Sequence, residues 1–229
     1  MDKWLITILM LMVGSAAMAQ NVITAANLGA FTITISEDDA GKTFMRYDGG
    51  FVPASGGAIT NYLRGFPDIE YLEFNSPGGS LLEINGPGAL LRETGITFVV
   101  REGDVCVSAC AFLALYSKNI ELEGLIAFHL PYRPGYSRAS TLYDISQSMV
   151  ERTLRQTRQM FDNDWLIYLY LTIARESDMT NFLVFNDIAE LNKFRMTDKS
   201  QFMNAPEVNA NVVIMDSADL SEYMSTYTE

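Results

Sequence analysis

The stretch DVCVSACAFLAL, residues 104–115, changes character at its middle. As far as Val107 it is an apolar, strand-like run, and beyond Ser108 it becomes Ala-rich and helix-like. A serine at such a junction has two readings. It can cap the helix, its oxygen accepting from an amide of the first turn. It can also present its hydroxyl from a tight turn, with the next amide, that of Ala109, facing the same space. The only two cysteines, Cys106 and Cys110, bracket it. Were the segment helical, that spacing would bring their Cα atoms to about 6 Å on one side, within disulfide reach. Two small buried thiols are the alternative.

Working outward, ITFVV (96–100) reads as a buried strand leading through the turn REGD into this stretch. GLIAFHLP (124–131) reads as another strand, stopped by proline and carrying His129, the one histidine of the chain. Upstream, IEYLEF (69–74) runs into NSPGG. There Gly78 and Gly79 let bare backbone N–H groups face a cleft, with a helix start behind them, a geometry suited to a developing oxyanion. The three segments each lie at the C-terminal end of a predicted strand, where open α/β sheets place their sites. Each also has a plain structural reading: a turn, a cap, a packed histidine. A serine hydroxyl needs a neighbouring base to become a nucleophile, and histidine is the usual base near neutral pH. Here there is one candidate.

Strands alternating with helices through residues 69–130 predict one α/β domain with a mainly parallel sheet. AFTITISE (30–37) and KTFMRYDG (42–49) predict a hairpin across DDAG, and AITNYLRGF (58–66) a short helix. SLLEINGPGALLRETG looks helical at both ends, with a kink or restart expected at Pro87. The apolar spacing over about 140–175 predicts a long helical stretch, followed by a short helix at 186–192 and a strand VVIM at 212–215. The polar tail after it reads as loose.

The chain opens with a secretory signal: Lys3, an apolar run from Trp4 to Val13, and the A-x-A site Ala17-Met18-Ala19. The apolar run is shorter than the ~20 residues of a membrane span. Cleavage after Ala19 leaves one domain, 20–229, in the periplasm or outside the cell; an uncleaved anchor is the alternative. The composition, 48% hydrophobic and 19% charged, supports a packed core. A formal net charge of −12 repels phosphate backbones and argues against nucleic acid as a partner. A single histidine and no second cysteine pair leave no metal site.

Taken together, LEFNSPGGSL, ITFVV…CVSACAFLAL and LIAFHLPY resemble the Clp protease proteolytic subunit and its crotonase-fold relatives, most of all exported Clp-like proteins with a C-x-S-A-C serine. The resemblance covers about 66–132. It implies a Clp protease/crotonase-like α/β spiral of ββα units, with a helical handle used for self-association after His129. It also implies a serine peptidase needing no cofactor, with Ser108 as nucleophile, His129 as general base, and Gly78, Gly79 and Ala109 at the oxyanion hole. Of the two glycines, Gly79 is the favoured donor. The third catalytic member of that family is an Asp just before an aromatic residue. Here the position two before Phe182 is Thr180, with Asp178 and Asn181 nearby; Asp178 is favoured as the residue orienting the imidazole.

The expected partner is a peptide or protein substrate. No ATPase partner is expected where ATP is absent, and the apolar stripe at 140–175 suits either self-association or packing within one chain. The main competing function is a non-catalytic binding or assembly protein on the same scaffold, favoured by the departures at Thr180 and Pro87. Acyl-CoA chemistry is disfavoured by export and by the acidic charge. A Ser–Lys mechanism lacks a lysine in a suitable context.

Overall fold

The structure, a computed structural model, describes residues 21–129, 181–196 and 213–216. The signal segment, the long helical stretch, Asp178 and most of the tail lie outside the described residues.

Among the described residues ten strands run in chain order as β1 (Asn21–Asn27), β2 (Phe31–Glu37), β3 (Thr43–Gly49), β4 (Tyr71–Asn75), β5 (Thr97–Val100), β6 (Val105–Val107), β7 (Ile120–Leu122), β8 (Leu125–Phe128), β9 (Asn181–Phe185) and β10 (Val213–Asp216). Four described helices accompany them: α1 (Ser55–Gly65), α2 (Asn85–Thr94), α3 (Ala109–Ala114) and α4 (Ile188–Met196). They form two sheets, a large one ordered β1-β2-β3-β4-β5-β7 and a small one ordered β10-β9-β8-β6. The β3·β4, β4·β5, β5·β7 and β6·β8 pairs are parallel. The β2·β3 pair is antiparallel, with Ile33 opposite Tyr47, and forms the hairpin expected across DDAG.

The spiral is visible in how the chain alternates between sheets. β5 lies in the large sheet and β6 in the small one, followed by α3; β7 then returns to the large sheet beside β5, and β8 to the small sheet beside β6. This is the α/β architecture of stacked ββα turns that the sequence led us to expect. The sheets meet at a corner made by Ser76, just past β4. Its N–H donates to the Val105 carbonyl at 2.7 Å, and its carbonyl accepts from the Val107 N–H at 2.9 Å.

Period-two alternation sends Met45, Tyr47, Leu72, Phe74 and Phe98 into the main core. There they meet α3, whose Ala109–Ala114 residues are all buried, and Ile126 and Phe128 of the small sheet. The short side chains of α3 let the two sheets approach it closely. On the opposite face, Phe44 and Tyr71 stack in a smaller cluster, and Arg46, Asp48 and Glu73 carry charge. Arg46 binds Asp104 through two parallel hydrogen bonds (2.7 and 2.8 Å) and Asp48 through two more (3.0 and 2.9 Å). Arg101 Nε reaches Glu73 at 2.7 Å.

The structure amends several expectations. Residues 81–84 are turn rather than helix, and α2 starts at Asn85, so Pro87 is a restart. In the first turn its missing N–H costs no helical bond. Cys106 and Cys110 do not share a helix: one ends in β6 and the other lies in α3. β1, β7 and β9 were not anticipated; the described part of the last strand, Val213–Asp216, agrees with the expected VVIM strand, whose first residue lies outside the described residues.

Candidate active site

Ser108 stands between β6 and α3 with φ 56° and ψ −118°. It is one of two described non-glycine residues with positive φ, a conformation that persists only where surroundings enforce it. Two bonds do so here. Its N–H donates to the Ala127 carbonyl of β8 at 2.8 Å, and its carbonyl accepts from the Phe112 N–H at 3.0 Å. Although it occupies the cap position, its side chain makes no capping hydrogen bond. That removes the cap explanation for a serine here. A disulfide joins Cys106 to Cys110 across the turn, with Cα atoms 5.1 Å apart. Both cysteines are fully buried.

Gly78 lies against this elbow. A methyl group built on it would strike the Val107 carbonyl, come within 2.6 Å of the Ser108 Cβ and within 3.1 Å of the Ala109 nitrogen. Gly79 is confined from the other side: a methyl there would strike the Phe51 carbonyl oxygen. Both glycines have positive φ, 91° and 137°. Only glycine fits such a one-backbone-thick layer between two segments.

The Gly78 N–H donates to the Ser76 hydroxyl at 3.1 Å. The Gly78 carbonyl accepts from the Phe51 N–H at 2.7 Å, and the Ser80 N–H donates to the Phe51 carbonyl at 2.8 Å. Residues 50–51 therefore strap the loop in a short parallel bridge, Phe51 to Gly79. Among the described residues the Gly79 N–H makes no backbone hydrogen bond. The Ala109 N–H opens a helix, where amides have no intrahelical partner.

His129 follows directly on β8. Since Val107 of β6 is level with Ala127 of the parallel β8, Ser108 and His129 sit at the C-terminal ends of adjacent strands. The imidazole is 7% exposed and packs edge-on against Phe182 of β9, with ring centroids 5.0 Å apart. β9 thus brings the 181–185 segment alongside His129, just after the region holding Asp178, which itself lies outside the described residues.

The structure therefore gathers Ser108, Ala109, Gly78, Gly79 and His129, scattered over 51 positions of chain (129 − 78), at one end of the small sheet. Ser76, Phe51 and Tyr47, which organise the loop, escaped the sequence reading. The one available signal is the Gly-rich stretch YDGGFVPASGG, residues 47–57. No group of three or more His, Cys, Asp or Glu suited to a metal occurs among the described residues.

No family model matches the chain, and no curated protein matches it. Among solved structures it is similar to a serine-to-alanine mutant of the 1510-N membrane-bound stomatin-specific protease. The identity is 14%, over 65% of this chain and 81% of that one, with a TM-score of 0.44. Neither activity nor substrate carries over at that distance.

Proposed function

We propose that this chain is a serine hydrolase, a peptidase of Clp-like type. The observation that carries the reading is the elbow: an uncapped serine in a strained conformation, with glycine backbone packed on one side and a histidine at the neighbouring strand end. Ser108 attacks the carbonyl of a peptide or ester while His129 takes the hydroxyl proton and gives it to the departing amine or alcohol, and water then cleaves the acyl-serine ester and restores the hydroxyl. The negative oxygen is held by the Gly79 and Ala109 amides. Gly78, whose N–H serves Ser76, contributes shape rather than a hydrogen bond. Each such donor is worth about 100-fold or more in rate. Asp178 orients the imidazole in this reading. The substrate is a peptide or protein, and no cofactor, metal or ATPase takes part.

We further propose that the chain acts outside the cytoplasm. The N-terminal segment has the form of a secretory signal, and the cysteine pair suits an oxidising compartment. No helix among the described residues is long and apolar enough to cross a membrane.

Labelling with a fluorophosphonate tests the hydrolase. The mature exported protein should be modified at Ser108, and both Ser108→Ala and His129→Ala should abolish the reaction. Absence of labelling in the wild-type protein, or its persistence in Ser108→Ala, would end the reading of Ser108 as the nucleophile.

A further inference from the structure

We propose that Tyr47 is a positioning residue for the oxyanion site, acting through two successive peptide groups that end at the Gly79 N–H. The inference rests on the hydrolase reading and adds to it a residue on β3.

The chain of bonds is continuous. The Tyr47 hydroxyl donates to the Gly50 carbonyl at 2.6 Å. That carbonyl and the Phe51 N–H belong to one peptide group, and in a trans peptide the two point in opposite directions. The Phe51 N–H donates to the Gly78 carbonyl at 2.7 Å. The same planarity then turns the Gly79 N–H away from the strap. Every link donates in the same sense, from phenol to amide to amide, so each polarises the next and leaves the terminal N–H a stronger donor to negative charge. The orientation of that N–H is likewise set from Tyr47, because rotating the 78–79 peptide would break the Phe51 bond.

The anchor is rigid. Tyr47 is fully buried, with its ring stacked on Phe31 at 5.4 Å and Phe51 at 5.1 Å, and tilted against Phe74 at 5.6 Å. A phenylalanine would keep that packing, so packing alone does not account for the hydroxyl. The layer it supports has no slack either, since Gly78 abuts the elbow and Gly79 the strap.

The test compares Tyr47→Phe with Tyr71→Phe in the full chain. Tyr71 supplies a control: its hydroxyl bonds Asp38 at 3.1 Å, away from the site. Turnover of a chromogenic ester and the rate of fluorophosphonate labelling are measured for both, beside wild type and Ser108→Ala. Misaiming one oxyanion donor should lower kcat and the labelling rate about 10-fold in Tyr47→Phe, with KM within about twofold. Tyr71→Phe should match wild type in both. Equal rates for Tyr47→Phe and wild type would overturn the inference while leaving the hydrolase intact. Wild type without Ser108-dependent labelling would overturn the hydrolase itself. Should Tyr47→Phe not fold, replacing the Phe51 amide by an ester, which deletes that N–H and weakens the Gly50 carbonyl as an acceptor, must give at least the same fall in kcat for the inference to stand.

Discussion

Ser108 is held at a backbone conformation that L-residues rarely adopt, and the strain has a measurable size. Such positions cost about 1–3 kcal/mol, met here by the Ala127 and Phe112 bonds on either side of the residue. Glycine has no such penalty. Ser108→Gly should therefore be more stable than Ser108→Ala by about 1 kcal/mol in urea unfolding, although both lack the nucleophile. Equal midpoints would mean the elbow stores nothing. At this scale the sequence was informative wherever chemistry is intrinsic to the residue. One histidine and one serine between two cysteines could be singled out without coordinates. Tyr47 and Ser76 could not, because what matters about them is a partner: the Gly50 carbonyl for one, the Gly78 amide for the other.

The cysteine bridge belongs to the scale of elements, since it ties the end of β6 to α3 around the elbow. A loop this short, with a sequence separation of 4, yields about 2 kcal/mol on the chain-entropy account. Because both cysteines are fully buried, dithiothreitol should leave the bridge intact in native buffer and reduce it only with denaturant. Cys106→Ala with Cys110→Ala should lower stability by about 2 kcal/mol. Thiols titrating in the native protein after reductant alone would contradict that burial. Strands with clear turns at their ends, such as β2, β3 and β5, were legible in the sequence. β7 escaped because three residues carry no periodicity, and β1 because neither of its faces is buried. The run FLVF within β9 is continuously apolar, which periodicity alone does not assign to a strand.

Across the whole molecule, Arg46 couples the large sheet to the loop that launches β6. Its guanidinium, with a pKa raised chiefly by the hydrogen-bonded Asp104, serves two acidic side chains that are nearly buried, Asp104 and Glu73. Arg46→Met would leave those carboxylates short of a cation. We expect a loss of about 2 kcal/mol, less than for a fully buried pair because Arg46 retains some solvent contact. Alkaline pH tests the core more broadly. Burial pushes the phenols of Tyr47 and Tyr116 up to about 12, from an ordinary value of 10.0. The fold thus favours the protonated phenols. Their contribution is complete below pH 10 and is lost as pH rises through 12. Urea midpoints should hold from pH 8 to about 10 and then fall, and Tyr47→Phe should soften that fall.

What the sequence determined by itself was the order of parts: strand, glycine turn, helix, strand, serine, helix, strand, histidine. Local preference and period-two or helical patterning act over a few residues, so they survive without coordinates. Only the tertiary structure decided how β5 and β6 part into two sheets, that Ser76 joins them at the corner, and that the 50–51 strap presses the glycines onto the elbow. Those are contacts between segments 20 or more positions apart, such as Val105 with Leu125 at 20 (125 − 105) and Phe51 with Gly78 at 27 (78 − 51). They arise from backbone groups common to every residue, and for that reason no side chain announces them.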